Sequence, residues 1–333
     1  MGIKEKVMVN FLEEELSRYC YWQTERESIR IKKEEQGLPA PWTDDPILQG
    51  FKFCQVFRED DRTTRWFREH IREPLRHNPS VFMATVIFRW FNFIDTGRTL
   101  IKHDLHLKWD RKKAIEEITK QDKWITGSYI IKTPNGMDKV TGVAECVSHM
   151  WKDRLSIVNK IITQNMNLEE TWRLLKDYPY MGPFMAYEVV TDLRHTYLLE
   201  NANDKLTWAN AGPGAMRGLN RLTGRELGFS KRSHDWNGEM NTLFSRVTEA
   251  GLNDDIRDLR RYLRTDKAPH APLHRSAMKY EMREIEGGLC EFDKYSRMVK
   301  GEGRTRSVFK QSKHPLVEGL FDPAYGRNPH ESN

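Results

Sequence analysis

The sequence predicts a mainly α-helical chain carrying one small β-hairpin, and three observations lead there. Apolar residues recur at three- and four-residue spacing along most of the 333 residues, and 14 Pro with 21 Gly leave room for long helices. One strong hairpin signal, Pro134-Asn135-Gly136, stands between the short runs SYIIK and MDKVT. A chain of this length can bury a substantial core.

Taken in order, residues 1–36 read as a long polar helix. It ends at GLPAPWTDDPIL, where Gly37 and three prolines force an extended connector over 37–50. FKFCQVFREDDRTTRWF and SVFMATVIFRWFNFIDTG resume the helical spacing, with Gly97 as the expected stop of the second. The hairpin is expected at about 128–141, and helix returns from about Gly142. LLKDYPYMGPFMAYEVV then places a tight apolar turn between two helical runs, a pair spanning about 167–199, and a C-terminal extension covers about 300–333. With no repeat, low-complexity block or obvious linker, a single helical domain over 1–333 is the economical organisation.

Lys and Arg exceed Asp and Glu by 54 to 48, a net charge of +6 that permits a polyanionic partner without demanding one. No stretch approaches the roughly 20 apolar residues of a membrane span, and MGIKEKVMVNFLEEEL is too charged for a secretory signal, so a cytoplasmic protein with no membrane partner is expected. Cys20, Cys54, Cys146 and Cys290 are far apart with no CxxC pair, which suggests reduced thiols packed inside. His103 and His106 in HDLH lack a further ligand cluster, so no metal site is assigned. Neither GxxxxGK[ST] nor GxGxxG occurs, which argues against a phosphate-binding loop and a nicotinamide fold.

If FKFCQVFREDDRTTRWF is one helix, Phe53, Val56, Phe57, Asp60, Thr64 and Phe67 share a face, and Arg58, Asp61, Arg62 and Arg65 share the other. A carboxylate among aromatics must be paired or protonated, and Arg89, three residues before Asn92 in VIFRWFNF, is a natural partner for Asp60. Asp60 is then either a general base raised by burial or half of an ion pair joining two helices. The Arg58, Arg62 and Arg65 row is either an anion-binding surface or a solvated face.

Tyr178-Pro179-Tyr180-Met181-Gly182-Pro183 resembles the helix-hairpin-helix turn of DNA glycosylases, LPGxG followed by a helix. In that motif the N–H groups of the second helix face a DNA phosphate. Tyr180, which replaces the first glycine, Gly182 and Pro183 are thereby candidate DNA contacts; the other reading is a Gly/Pro connection that packs Tyr and Met into a core. AGPGAMRGLNRL likewise lies over the glycosylase pattern VDTHVxRVxxRL, with Arg217 and Arg221 in register and Gly212 in place of the catalytic Asp. The resemblance implies a DNA-glycosylase-like helix-hairpin-helix bundle that has lost the carboxylate needed for base excision.

PWTDDPILQGFKFCQVFREDDRTTRWF, FRWFNFIDTG, YIIKTPNGMDKVTGV, YPYMGPFMAYEV, WANAGPGAMRGLNRLTG and LCEFDKYSRMVKGEGRTR together resemble the bacteriophage α-glutamyl/putrescinyl-thymine pyrophosphorylases. These amino acid:DNA transferases are relatives of the helical domain of 5-hydroxymethyluracil DNA kinases, and the resemblance spans about 15–310. It implies a late step in thymine hypermodification of phage DNA in an infected bacterial cell. An amine, an amino acid or a polyamine, would displace pyrophosphate from the 5-methylene of a pyrophosphorylated 5-hydroxymethyluracil prepared by a separate kinase.

That chemistry assigns expected roles. Arg58, Arg62, Arg65, Arg89, Arg217 and Arg221 are candidates to offset the charge of departing pyrophosphate, with a divalent cation such as Mg as a candidate companion and no other cofactor implied. Asp60 or Asp61 would take the proton of the attacking ammonium, with Asn92 beside Arg89. A base drawn out of the DNA stack would meet Trp208 and Asn210, next to Gly212 and Gly214, although a Trp at a helix end is also an ordinary core residue. Lys294 and Arg297 would hold the carboxylate of an amino-acid substrate, or form surface helix pairs with Glu291 and Asp293. Two further readings stay open: a modified-base glycosylase, and a DNA-binding module without catalysis.

Overall fold

The computed structural model describes residues 9–127, 129, 131–231, 234–252 and 280–302. The C-terminal extension beyond 302, residues 1–8 of the N-terminal helix, and Ser128 and Ile130 of the expected hairpin lie outside the described residues. Those residues are mainly helical, as the spacing predicts, with no β-strand among them. They form two compact units: Met1–Asp60 with Ala211–Asn333, and Asp61–Asn210.

In the discontinuous unit, α1 (Glu13–Arg30) continues as a wider π-turn over Ile31–Glu35. The proline connector leads to the short α2 (Pro46–Gly50), whose first turn is capped by Asp45 accepting from the Ile47 and Leu48 N–H groups. Three further helices complete this unit: α10 (Pro213–Leu222), α11 (Trp236–Glu249) and α12 (Met282–Val299), the label α12 counting described helices only. α12 is the central element, packing on α10, α11, α1 and α2. Its buried stripe of Ile285, Leu289 and Phe292 follows the helical repeat.

The continuous unit runs from α3 (Arg62–Phe67) through α4 (Val81–Phe91), α5 (Ile94–Lys102), α6 (Arg111–Ile118), α7 (Lys139–Thr163) and α8 (Leu168–Lys176) to α9 (Gly182–Leu193). α4 is buried along its whole length and packs on α5, α7 and α9. Trp66, Phe67, Ala84, Phe88 and Ile94 form one apolar cluster at the α3, α4 and α5 end.

Three local expectations are corrected. FKFCQVFREDDRTTRWF is not one helix: residues 52–55 are irregular, Arg58–Asp60 is a 3-10 turn, and α3 starts only after Asp61. The face drawn from it is still largely buried, at Val56, Phe57, Asp60, Thr64 and Phe67, because the core selects side chains whichever local turn carries them. Gly97 does not stop a helix. α4 ends at Asn92 in the left-handed region (φ 45°), and Gly97 lies inside α5 where an added Cβ would stand 2.3 Å from the Trp66 ring. At Pro134-Asn135-Gly136 the turn forms, with Gly136 at φ 79°, but MDKVT enters α7 instead of a strand because Asp138 caps that helix by accepting from the Thr141 N–H at 3.0 Å. Of the four free cysteines only Cys146 is buried, while Cys54 and Cys290 are exposed.

Candidate functional site

The Gly-Pro-Gly entry of α10 sets up the first cluster. An added Cβ at Gly214 would fall 2.4 Å from Cys290 Sγ, and one at Gly218 would fall 2.4 Å from the Leu289 carbonyl oxygen. These two glycines let α10 lie almost against the α12 backbone, so Gly214, expected beside a base, is a packing residue. The close approach brings Asp293 of α12 under two arginines of α10. Arg217 Nε and Arg221 Nε donate to different oxygens of that one carboxylate, each at 2.8 Å, and Arg221 Nη2 also donates to Glu302 at 2.7 Å. Burial works against the Arg221 charge, yet Glu302 and Asp293 together hold its pKa above the usual value.

Arg217 differs from its neighbour in having a side chain 42% exposed, and its two terminal nitrogens meet no protein acceptor among the described residues. Arg297, one turn beyond Asp293 on the same face of α12, also has no side-chain partner among them. Gly212 caps α10, and Glu286 Oε1 stands 3.5 Å from where its Cβ would be, while the other oxygen, Oε2, accepts from Arg283 Nη1 at 2.8 Å. A carboxylate therefore stands beside the position that carries no acid of its own. Asp293 and Glu286 are the residues that reading along the chain missed as site carboxylates. Their signal was the run EGGLCEFD, in which Cys290 and the Leu289 backbone meet the glycines of α10 while Gly288 lies against Tyr19 and Gln23 of α1.

Asp60 is 1% exposed and lies 3.4 Å from Arg30 Nε, in a buried group where Arg30 also binds Glu27 at 2.7 Å and Glu35 at 2.8 Å. Desolvation opposes the Arg30 charge, but Glu27 and Asp60 raise its pKa well above normal. The carboxylate of Arg89 is Asp192 rather than Asp60. Arg89 makes a two-pronged pair with Asp192, with Nη2 2.9 Å from Oδ1, and adds Nη1 to Asn92 at 2.8 Å and Nη2 to Thr64 at 3.1 Å. Packed against the rings of Phe67 and Phe88 and 1% exposed, it has four of its five N–H groups engaged inside the core and none presented to solvent. Arg89 and Asn92 thus tie α3, α4 and α9 together. Arg58 is buried, Arg65 half-buried and Arg62 exposed, while Asp61 precedes α3 without capping it.

The tight turn between α8 and α9 is open to solvent at Tyr180 and Gly182. Tyr180 (φ 62°) and Gly182 (φ 60°) are both left-handed, Tyr180 is 45% exposed, and nothing lies within 4 Å of a Cβ built on Gly182. The Pro183 carbonyl accepts from Trp172 Nε1 at 2.9 Å and from Asn210 Nδ2 at 3.4 Å, which fixes the start of α9. Trp208 is buried against Trp172 and Tyr187, so it belongs to the core beneath the turn and presents no open face for a base. Lys294 is committed as well: it donates to the Lys52 carbonyl, reaches Glu291 at 3.4 Å and lies over the Phe53 ring. His106 is buried against the Leu100 carbonyl and His103 pairs with Glu117; no metal-holding group of three such side chains exists among the described residues.

The family model of the 5-hmdU DNA kinase helical domain matches residues 13–305. The chain belongs to that family. A 5-hmdU DNA kinase of Bacillus phage SP10 is 23% identical over 217 residues, which covers 59% of this chain and 34% of the relative. This chain therefore spans about a third of that relative's length. No solved structure matches this chain. Among the described residues of this helical domain, no helix is long and apolar enough to cross a membrane.

Proposed function

We propose that this helical domain catalyses a transfer step in thymine hypermodification of phage DNA. The amine nitrogen attacks the 5-methylene carbon of a pyrophosphorylated 5-hydroxymethyluracil; a C–N bond forms, the C–O bond to pyrophosphate breaks, and the ammonium proton passes to a base. The observation that carries the reading is Arg217, pinned by a buried carboxylate at one edge and open at the other, in a chain of the 5-hmdU DNA kinase helical family. A guanidinium held in place without its terminal donors engaged is preorganised for a phosphoryl oxygen. Arg297 on the same face of α12 adds a second positive charge, although no side chain among the described residues pins it. A divalent cation such as Mg would ride on the pyrophosphate rather than on a protein ligand set.

Two assignments shift within this proposal. Asp60 is too buried to touch an amine, so the proposed proton acceptor is Glu286, beside the α10 entry in the same unit as Arg217. The exposed turn at Tyr180 and Gly182 is the proposed contact to the DNA backbone. That turn equally supports a non-catalytic DNA-binding module, and the test separates the two. The protein is incubated with kinase-treated 5-hydroxymethyluracil DNA and a panel of amines, and the DNA is digested to nucleosides for mass spectrometry. An amine-bearing thymidine that depends on prior kinase treatment is expected; unchanged nucleosides with retained DNA binding would establish the module reading instead.

A further inference from the structure

The turn between α8 and α9 presents a residue that the fold does not account for. Tyr180 sits at φ 62°, a backbone region that favours glycine, and a bulky side chain is strained there. No contact offsets the strain: among the described residues the Tyr180 side chain has neither a hydrogen bond nor a ring partner, and the residue is 45% exposed. Four residues on, Phe184 is 44% exposed, its ring meeting that of Tyr129 nearly at right angles with 4.9 Å between centroids. Strain kept at an exposed ring, on a turn whose Pro183 carbonyl is pinned by Trp172 and Asn210, points to contact with a ligand.

Charge and size narrow what those rings meet. The run YPYMGPFMAY, residues 178–187, carries no charged side chain. On the adjoining α8 each cation has its own acid: Arg173 pairs with Glu169 and Lys176 with Asp177, both at 2.6 Å. Such a surface offers ring faces, not a row of positive charge for phosphates. Two exposed rings flanked by prolines fall far short of the roughly 800 Å² that each side of a stable protein interface buries, whereas one nucleobase needs only one ring to stack on. The chain belongs to a family of DNA-modifying proteins, so the flat apolar faces within its reach are those of DNA bases. In a closed duplex those faces are covered by their neighbours, and rings reach them only where the strands are apart.

We propose that Tyr180 and Phe184 stack on bases of an unpaired DNA strand, so that this turn distinguishes single-stranded or locally opened DNA from closed duplex. The inference rests on the reading above that DNA passes over the turn. It adds that the bases, and not only the backbone, are held there. Glycine at position 180 would relax the backbone but remove a stacking ring, which accounts for tyrosine at a left-handed position.

Fluorescence anisotropy of the full chain with a labelled thymidine oligonucleotide, alone and paired with its complement, tests this across a salt series. Tyr180→Gly should melt no lower than the parent, because glycine suits the backbone, and should bind the single strand about tenfold more weakly. Phe184→Leu keeps an apolar side chain without the ring and should lose single-strand affinity as well. Stacking releases no counter-ions, so both losses should persist as salt rises, whereas a loss caused by Gly182→Asp should shrink. Unchanged single-strand affinity in both ring variants, equal losses on the closed duplex, or losses that vanish at high salt would overturn the stacking. If Gly182→Asp weakens DNA binding and the ring variants do not, the backbone contact stands and the stacking inference falls alone. If none of the three changes DNA binding, the reading of this turn as a DNA contact falls with it.

Discussion

Arg221 Nε meets Asp293 Oδ1 at 2.8 Å with both side chains almost wholly buried, 3% and 2% exposed. Removing one partner of such a pair strands the other charge in a medium that solvates it poorly. Asp293→Ala is therefore expected to cost about 3–5 kcal/mol in urea unfolding, and Asp293→Asn less because the amide oxygen still accepts.

Arg217 shares that carboxylate from a half-exposed position and should behave differently. Arg217→Ala is expected to leave unfolding free energy within about 1 kcal/mol of the parent, since its own side chain is 42% exposed and Asp293 keeps its pair with Arg221. The same variant should weaken DNA binding and reduce the salt slope of log K by about one phosphate contact. Fluorescence anisotropy across a salt series measures the slope, and an unchanged slope would remove Arg217 from the interface.

At Gly218 a Cβ would stand 2.4 Å from the Leu289 carbonyl oxygen, a backbone atom that cannot swing away. Gly218→Ala is expected to separate α10 from α12 and to destabilise by about 1–3 kcal/mol. Gly212→Ala is the control, because its Cβ would meet only Glu286 Oε1 at an ordinary 3.5 Å. Thermal melts of the two variants should diverge.

Much of the helical architecture was legible because amphipathic spacing reports which face is buried, as α12 illustrates. The interruptions were harder to read. Gly97 looks like a stop, but the bulk of Trp66 requires a glycine within α5, and the stop falls on Asn92, which tolerates the left-handed region. Asp138 turned an apparent strand into a helix start through one side-chain hydrogen bond. The site was legible as residue types and not as pairings. Arg89 and Asp60 share a sequence logic, yet each found a nearer counter-ion, Asp192 and Arg30, because pairing depends on which helices cross. Asp293, which holds the two α10 arginines, lies more than 70 positions from them, and the run EGGLCEFD around it hints at a close helix contact without naming the partner.

Arg89 and Asp192 carry a separate prediction about stability without catalysis. Asp192→Ala is expected to cost about 3–5 kcal/mol, and Arg89→Lys should not rescue the loss that Arg89→Ala produces, because an ammonium cannot serve Asp192, Asn92 and Thr64 in one plane. Chemical denaturation of the three variants checks this. A well-folded Arg89→Lys protein at full stability would show that the planar network is dispensable.

Burial lowers the His106 pKa, with the Leu100 carbonyl and Asp104 opposing that shift. The folded state then binds its proton less readily than the unfolded state, so the contribution is present above the unfolded value near 6.5 and fades as pH falls below it. Melting temperature is expected to drop between about pH 7 and pH 5, and His106→Gln should flatten that drop. An identical pH profile for parent and variant would assign the drop elsewhere.

The turn at Gly182 separates backbone strain from DNA contact in one experiment. Gly182 sits at φ 60° with open space around its missing Cβ, so Gly182→Ala and Gly182→Asp each meet a conformational penalty of about 1 kcal/mol, somewhat smaller for Asp, and no steric one. Their melts should agree closely. Only the aspartate puts a negative charge at the start of α9, where a DNA phosphate would approach the free N–H groups, so Gly182→Asp should lose DNA affinity that Gly182→Ala retains. Raising salt should narrow the difference, because the repulsion is screened. Equal DNA affinity for the two variants at low salt would mean that the strand does not pass over this turn, and the exposed ring of Tyr180 would then need another explanation.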